Sequence, residues 1–407
     1  MTSASTSASR TSLTGIFSGA TRRGACPSLY APMQTGDGLL ARIRVAGGSL
    51  APADLAALAK LADQHGNGLI EITARGNLQV RGLRTDTAPA FAAAVAALLP
   101  IEHGPTIDIS PIAGVDPTEI ADPRPLAEAI GKGAAGMAER LGPKVSVVID
   151  ASGQISLDQL KADIRLLAQS DNSWAVTLGG GKPQRTDAEG AAATVLAVLG
   201  ALAAVGPEAR AADLFPGRED ITAADSPAPS PARGGLPRWR SWLDLIHGHS
   251  RAIALPFGAA RSAEIIALCG AAIASVCNNM RLAPDHVLLL DNAPDDLIAQ
   301  AGELGFITGA DDPRNRVSAC IGNQGCASGH IAARDIAAQF APRLPASQSL
   351  HVSGCSKGCA HPRPADVTLV GQPDGIGLVF AGRAGDTPSK LLDAAALGAG
   401  TFPFQGG

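Results

Sequence analysis

Residues 353–369 read SGCSKGCAHPRPADVTL, and in this stretch two cysteines lie just ahead of an apolar, strand-like segment. A second pair lies upstream in CIGNQGC, residues 320–326, with glycines beside each pair. Four thiolates, with backbone amides that can approach the sulfurs, are typical of a 4Fe-4S cluster. Zinc and unligated thiols stay open as alternatives, although Cys-x5-Cys is long for a zinc knuckle. We expect the cluster on Cys320, Cys326, Cys355 and Cys359.

Composition limits the other classes of function. The chain has 407 residues, of which 46% are hydrophobic, so it can bury two or more cores. Its formal net charge of −4 leaves no basic excess, which argues against nucleic acid and anionic membrane surfaces as partners. We predict no transmembrane helix, because no run of 18 apolar residues is free of charged and turn residues. An odd count of seven cysteines without a secretory signal predicts a reducing, cytoplasmic location, with Cys269 and Cys277 as small buried hydrophobes.

The hydrophobic pattern predicts an internal duplication. A strand over 39–45 is followed by a helix over 51–66 and by strand periodicity over 69–83. The same order of strand, helix and strand returns over residues 251–291. A second module follows each unit, and in the first of these we predict a strand over 144–150 and a helix over 156–169.

Residues 216–240 concentrate Pro, Ala, Gly and Ser and are predicted to form a linker. The first 25 residues, rich in Ser and Thr, predict a disordered tail, with an organellar transit peptide as the alternative. The predicted boundaries are a tail over 1–25, a first half domain over 26–102, a first larger domain over 103–215, the linker over 216–240, a second half domain over 241–308 and a cysteine-containing domain over 309–407.

An unusual row of polar residues lies in TARGNLQVRG, residues 73–82. Strand periodicity places its cationic and amide side chains on one face, opposite Leu78 and Val80. Guanidinium groups bind carboxylates bidentately, so this face suits a macrocycle that carries acetate and propionate arms. A solvated strand face is the alternative, but that would normally include acidic residues for balance. The row comprises Arg75, Asn77, Gln79 and Arg81, and Arg42 and Arg44 form a second basic face. The duplicated strand keeps only Asn279 and Arg281, so we expect the first half to hold most of the acidic arms.

The cysteine segment resembles the signature of the siroheme sulfite and nitrite reductases, in which Ser-Gly-Cys-x3-Cys precedes an acidic residue, here Asp366, that begins an apolar strand. Further resemblance lies in ARIRVAGGSL, ITARGNLQVRG, ISPIAGVDPTEIAD and ALPFG, and covers most of residues 36–400. The resemblance implies an α+β fold in which duplicated ferredoxin-like half domains and two sulfite/nitrite reductase 4Fe-4S-type α/β domains enclose a tetrapyrrole.

In those reductases, two arginines and two lysines face the inorganic anion. Arg44 and Lys144 match one of each, but Pro105 stands where an arginine is expected and Ser146 where a lysine is expected. The missing charge disfavours binding and protonation of sulfite or nitrite.

RRGACPSLYAPMQTGDGLLARI and CSKGCAHP instead resemble the precorrin-3B synthases of the same superfamily. That resemblance implies an O2-dependent monooxygenase that hydroxylates precorrin-3A at C20, with γ-lactone formation, in aerobic cobalamin biosynthesis. It also implies an external electron donor, NADH-linked or ferredoxin-type. A siroheme-dependent sulfite or nitrite reductase is the alternative, and a non-catalytic 4Fe-4S electron-transfer or zinc-binding protein is a second one.

The resemblance also suggests roles for individual residues. Cys359 would serve the cluster alone, because the substrate has no iron to bridge; siroheme belongs only to the reductase alternative. The family further implies a mononuclear non-haem iron, for which His247, His249, His351 and His361 are candidate ligands, each with a structural role as its alternative. Arg363 could hold a carboxylate near the cluster. The expected substrate-binding residues are Arg42, Arg44, Arg75, Asn77, Gln79, Arg81, Lys144 and Lys357.

Overall fold

The computed structural model describes residues 26–215 and 250–393. The predicted tail over 1–25, the predicted linker over 216–240, and His247 and His249 lie outside these residues.

The first half domain combines an antiparallel sheet with two helices. Its elements are β1 (Met33–Thr35), β2 (Gly38–Ile43), β3 (Ser49–Leu50), α1 (Pro52–His65), β4 (Leu69–Ile72), β5 (Leu78–Leu83) and α2 (Ala88–Leu98). Helix α1 agrees with the prediction over 51–66, because Leu55, Leu58 and Ala62 recur at helical spacing and are buried. The predicted strand over 69–83 is instead a hairpin, in which Gly76 has φ 75° in the turn.

The middle module follows. Its elements are β6 (Thr106–Asp108), α3 (Arg124–Ala134), β7 (Ser146–Asp150), β8 (Ile164–Ser170), β9 (Ser173–Leu178), β10 (Gln184–Thr186), α4 (Ala188–Val205) and α5 (Ala211–Leu214). The sheet order is β10-β9-β8-β7-β6, with β6, β7 and β8 parallel. The strand predicted over 144–150 is confirmed by β7.

The helix predicted over 156–169 is wrong, because Ile164 begins strand β8. Ile164, Leu166 and Ala168 alternate toward the core, and β8 is hydrogen-bonded between β7 and β9. Hydrogen bonding to the two neighbouring strands therefore favours a strand here, although the spacing of the apolar residues also fits a helix.

The second half domain repeats the first. Its elements are β11 (Ser250–Ala254), β12 (Ala259–Arg261), α6 (Ser262–Ala274), β13 (Met280–Ala283), β14 (Val287–Asp291) and α7 (Asp295–Glu303). The two halves exchange short strands: β3 pairs with β13, and β12 pairs with β4. One apolar core runs through both halves, and it includes Cys269 and Cys277 as the sequence predicted. The duplication is thus confirmed.

The cysteine module closes the described chain. Its elements are β15 (Val317–Ala319), α8 (Ala333–Phe340), β16 (Leu350–Ser353), β17 (Ala365–Gln372), β18 (Gly375–Gly382) and β19 (Lys390–Leu392). The order β15-β16-β17-β18-β19, with three parallel strands followed by two antiparallel ones, repeats that of the middle module. The mixed α+β class and the two-fold repetition both agree with the expectation from sequence.

Helix α4 is the one helix within residues 26–215 and 250–393 whose length and apolar composition would suffice to cross a membrane. Val195, Leu199 and Leu202 on this helix are buried in the core of the middle module. Its apolar face therefore has a partner inside the protein.

Candidate functional site

The four cysteines meet where two neighbouring strands end. Strands β15 and β16 are adjacent and parallel, so the loops that follow them leave the same edge of the sheet. Cys320 directly follows β15, and Cys355 comes two residues after the end of β16. The Gly354 N–H donates to Cys320 Sγ over 3.0 Å, which links the two loops at the sulfur.

Cys359 lies close enough to the other three cysteines for their charges to affect its pKa. Burial raises its pKa above the usual value, the negative charges of Cys355, Cys320 and Cys326 raise it further, and Lys357 opposes them. A thiol whose ionisation is opposed in this way by its neighbours favours a bound cation, since a cation stabilises the thiolate form.

Glycines let the two cysteine loops approach each other closely. A Cβ added at Gly354 would lie 2.8 Å from the Gly322 Cα, and one added at Gly329 would lie 2.5 Å from the Asn323 nitrogen. Backbone amides can therefore come near the sulfurs, as an iron–sulfur cluster requires. The donor set and this glycine-lined wall fit a 4Fe-4S cluster.

The arrangement is less suited to one zinc ion. Within the described ranges, no group of three or more His, Cys, Asp or Glu side chains converges on a single ion. Zinc requires four ligands at about 2.0–2.3 Å from one centre. In a cuboidal cluster each cysteine binds its own iron, so the sulfurs stand further apart.

A polar ladder crosses the sheet of the first half domain. Arg42 on β2 donates from Nε and Nη2 to Gln79 Oε1 on β5, over 3.0 and 2.8 Å. Gln79 Nε2 donates in turn to Glu71 Oε2 on β4, over 2.8 Å. Arg334 of α8 completes the row through Nη2 to Glu71 Oε1, at 2.6 Å. The ladder therefore joins this sheet to the cysteine module.

Arg81 makes the second link to the cysteine module and is only 5% exposed. Its Nε and Nη2 donate to the Asp37 carboxylate at 3.0 Å each, and Nη2 also donates to the Gly325 carbonyl at 2.7 Å. Burial acts to raise the pKa of Glu71, but the charges of Arg334 and Arg81 outweigh it and hold that pKa below its usual value. Arg81 thus anchors the loop between Cys320 and Cys326.

The other two members of the predicted row lie in the hairpin turn and not on the strand, so the single-face prediction is wrong for Arg75 and Asn77. Arg75 forms an ion pair with Asp108 and donates to the Lys161 carbonyl, both in the middle module. The Asn77 backbone N–H donates to Thr73 Oγ1 over 3.0 Å, which closes the turn. Arg75 therefore connects the β4–β5 hairpin to the middle module.

Arg44 is neutralised by a carboxylate. It donates to Glu102 Oε1 at 2.7 Å and to the carbonyls of Gly104 and Pro105 at 2.9 and 3.0 Å. Burial raises the pKa of Glu102, and it raises the pKa of nearby Asp108 to about 6 against the opposing charge of Arg75. The surroundings of Arg44 are therefore rich in carboxyl groups.

The remaining predicted residues are more exposed. Lys144 lies at the surface just before β7, and the backbone N–H of Ser146 donates to Asp163 Oδ2 over 3.1 Å. Lys357 donates to Ser328 Oγ over 2.9 Å. Arg363 contacts Gln159, so the loop after the cysteines touches the middle module.

In the second half domain, Asn279 and Arg281 both donate to Asp291. Arg281 is therefore neutralised by a carboxylate, and the expectation that the first half holds most of the acidic arms stays a prediction.

Three charged residues of the site were missed from the sequence: Asp37, Glu71 and Arg334. The polar row was taken to lack acidic partners, whereas Glu71 and Asp37 supply them. Glu71 stands between Ile70 and Ile72 in a strand-like run, and this alternation could have placed it on the polar face. Arg334 comes from a distant helix, and local sequence carries no signal for that contact.

The chain is similar in sequence and in fold to known proteins. The nitrite/sulfite reductase ferredoxin-like half domain family matches residues 31–98. A protein named precorrin-3B synthase from Sinorhizobium sp is 38% identical over 401 residues, which is 93% of this chain and 87% of the relative. The NirA protein of Mycobacterium tuberculosis superposes with a TM-score of 0.62 over 84% of this chain and 73% of its own, at 19% identity.

Proposed function

Since the chain belongs to the precorrin-3B synthase family, within the nitrite and sulfite reductase superfamily, we propose that it hydroxylates precorrin-3A at C20 with γ-lactone formation. One atom of O2 enters the product and the other leaves as water, so two electrons must come from an external donor, NADH-linked or ferredoxin-type. The observation that carries the proposal is the 38% identity, which extends over nearly the whole of both chains. The enzyme is an oxidoreductase of cobalamin biosynthesis, and we propose that it works in the cytoplasm.

The proposed redox cofactor is a 4Fe-4S cluster on Cys320, Cys326, Cys355 and Cys359. When bound, it would pass electrons singly from the donor toward the substrate site. The Gly354 amide, 3.0 Å from Cys320 Sγ, would stabilise charge on that sulfur. Arg81 would keep the Cys320–Cys326 loop in place through its bond to the Gly325 carbonyl.

The proposed substrate-binding surface is the polar edge of the first half domain and the adjoining loops. Arg42 is half-buried, and burial lowers its pKa while the neighbouring Cys26 opposes this. Its guanidinium, the Asn77 amide and the exposed Lys144 and Lys357 are donors for acetate and propionate arms. Arg75, Gln79 and Arg81 orient this surface through the contacts that they make with other parts of the protein.

The charge around Arg44 argues against the siroheme reductase alternative. An inorganic anion needs free cationic groups, but Arg44 is paired with Glu102 at 2.7 Å and lies near Asp108. The Pro105 carbonyl occupies one further donor of Arg44. Sulfite or nitrite would meet carboxylates here, and such repulsion disfavours binding.

The test is an assay of cluster-loaded protein with precorrin-3A, O2 and a reductant, with product mass as the readout. We expect a product heavier by one oxygen atom, which carries the label when 18O2 is supplied. Sulfite and nitrite should give no turnover beyond background. Reduction of sulfite or nitrite without oxygenation of precorrin-3A would overturn the proposal.

A further inference from the structure

Two carboxyl groups and two arginines lie together where the first half domain passes into the middle module. Glu102 Oε1 accepts from Arg44 Nη2 at 2.7 Å, and Asp108, the last residue of β6, forms an ion pair with Arg75. Glu102 lies close enough to Asp108 for its negative charge to affect the pKa of Asp108. Two groups that can carry a proton are therefore near each other, and each contacts a guanidinium.

These four side chains border the proposed substrate-binding surface. Arg75, the partner of Asp108, lies two residues before Asn77 in the turn between β4 and β5. Strand β6 pairs with β7, and Lys144 comes two residues before β7 begins. Asn77 and Lys144, two of the proposed donors for acetate and propionate arms, thus belong to the segments that flank Asp108.

The two carboxyl groups differ in their access to water. The side chain of Asp108 is 12% exposed, whereas that of Glu102 is 33% exposed. Glu102 is therefore the outer group and Asp108 the inner one. A proton from bulk water can reach Glu102 directly, and Asp108 lies behind it, toward the middle module.

The surroundings of Asp108 favour its protonated form more than water does. Burial raises its pKa from 3.8 to about 6, and the charge of Glu102 adds to this, while Arg75 and Arg44 oppose it. Arg165 of β8 is a further cation that interacts with Asp108. Burial also raises the pKa of Glu102, against the opposing charge of Arg44. A carboxyl group with a pKa near the working pH is suited to general acid catalysis.

We propose that Asp108 donates a proton to the oxygen atom that leaves as water, and that Glu102 returns a proton from solvent to Asp108. This role rests on the proposed function, in which precorrin-3A, O2, two electrons from the external donor and two protons give the oxygenated product and water. As the O–O bond breaks, an O–H bond forms at the departing oxygen and the O–H bond of the Asp108 carboxyl breaks. Arg75 and Arg44 stabilise the carboxylate until it is protonated again.

The test measures kcat and KM for precorrin-3A against pH, with full-length, cluster-loaded protein. In wild type, kcat should fall as pH rises through about 6, because Asp108 acts in its protonated form. Asp108→Asn has a side chain of the same size without an acidic proton. Its kcat should be lower by about 100-fold or more, with KM changed by less than about threefold, and the fall in kcat near pH 6 should be absent.

Glu102→Gln tests the second step. The substitution removes a negative charge that raises the pKa of Asp108, so the fall in kcat should occur at lower pH than in wild type. The kcat itself should decrease less than in Asp108→Asn, because water can replace Glu102 as the source of the proton. A purely structural role of Glu102 would not shift the pH profile in this direction.

Asp291→Asn is the matched control. Asp291 also forms an ion pair with an arginine, Arg281, and its side chain is 11% exposed. Burial acts to raise its pKa, but hydrogen bonds from Arg281, Ser250 and Asn279 hold that pKa below its usual value, so it has no proton to donate near neutral pH. This variant should keep the kcat and the pH profile of wild type. Acid-labile sulfide and circular dichroism report whether each variant is folded.

Wild-type kcat in Asp108→Asn, or a pH profile of Glu102→Gln that matches wild type, would refute the roles of these carboxyl groups while leaving the proposed function intact. If Asp108→Asn does not fold, the pH profile of Glu102→Gln decides. Wild type that does not oxygenate precorrin-3A would contradict the proposed function and, with it, the proton transfer.

Discussion

At the scale of single residues, Arg81 joins the first half domain to the cysteine loop. Removal of its guanidinium in Arg81→Ala would leave Asp37 and Glu71 buried with weakened pairing. We expect the free energy of unfolding to fall by about 3–5 kcal/mol and the cluster to be lost faster to a chelator. Denaturant titration and the decay of visible absorption measure the two effects.

Arg84→Ala is the matched control, because Arg84 follows the same strand but pairs with Asp86 at the surface, where their side chains are 62% and 76% exposed. Arg84→Ala should change the free energy of unfolding by no more than about 0.5 kcal/mol. Equal effects of the two substitutions would show that the contact of Arg81 with the Gly325 carbonyl does not support the loop.

Asp108 predicts a pH dependence of stability. Its pKa is raised from 3.8 to about 6 in the folded protein, chiefly by burial. The folded state therefore holds this proton more tightly than the unfolded state, so the stabilisation is complete below pH 3.8 and is lost as pH rises through about 6. Asp108→Asn should remove this loss, which is about 3 kcal/mol for a shift of this size.

The measurement is urea unfolding of wild type and Asp108→Asn across that pH window. Wild type should lose stability relative to the variant as pH rises. If the difference in the free energy of unfolding between the two proteins does not change with pH, the ion pair with Arg75 compensates fully for the burial of Asp108.

Sequence periodicity predicted part of the polar site. Gln79 and Arg81 do share a face of β5, because alternate residues of a strand point the same way. The alternation does not extend to Arg75 and Asn77, because Gly76 between them adopts a positive φ and forms part of a turn. Glu71 and Arg334 meet Gln79 only when β4, β5 and α8 are assembled, and that assembly is not a local property of the sequence.

At the scale of elements, the β1–β2 hairpin contacts the cysteine loop through Gly36. The Gly36 N–H donates to the Gly325 carbonyl over 3.1 Å, and an added Cβ would lie 2.7 Å from the Ala327 nitrogen. Gly36→Ala should push the hairpin and the loop apart, at a cost of about 1–3 kcal/mol. Cluster loss to a chelator should accelerate several-fold.

Gly136→Ala serves as the control for Gly36→Ala, because an added Cβ at Gly136 meets no atom within 4 Å. It should leave the rate of cluster loss unchanged. Identical rates in Gly36→Ala and Gly136→Ala would indicate that the cysteine loop holds its conformation without the hairpin.

The elements themselves were predictable where one periodicity dominates. Helix α1 and strand β7 follow directly from their apolar spacing. Residues 156–169 fit a helix by spacing, yet strand β8 begins at Ile164, because pairing between β7 and β9 buries alternate side chains. The exchanged strands β3 and β12 are two and three residues long, too short for any pattern to reveal.

At the scale of the whole molecule, the two half domains depend on each other. Strand β3 completes the sheet of the second half, β12 completes that of the first, and a single apolar core runs through both. A chain divided between Phe215 and Ser250 should therefore yield two fragments that copurify in equal amounts. Each fragment expressed alone should aggregate, because it exposes an unpaired strand edge and the apolar side of α1 or α6.

Copurification through an affinity tag on one fragment, followed by circular dichroism, measures this interdependence. A soluble, cooperatively folded single fragment would show that the exchanged strands contribute little.

Visible and electron paramagnetic resonance spectra test directly whether the protein carries a 4Fe-4S cluster beside a substrate tetrapyrrole. The spectra are recorded on protein purified without oxygen, before and after reduction. We predict the broad absorption of a 4Fe-4S cluster, a paramagnetic signal on reduction, and no siroheme bands, because we propose that the tetrapyrrole is the substrate and not a cofactor. Loss of these signals in Cys355→Ser would assign them to the four cysteines. Stoichiometric siroheme bands would contradict the proposed role of the tetrapyrrole as substrate, and zinc without acid-labile sulfide would contradict the proposed cluster.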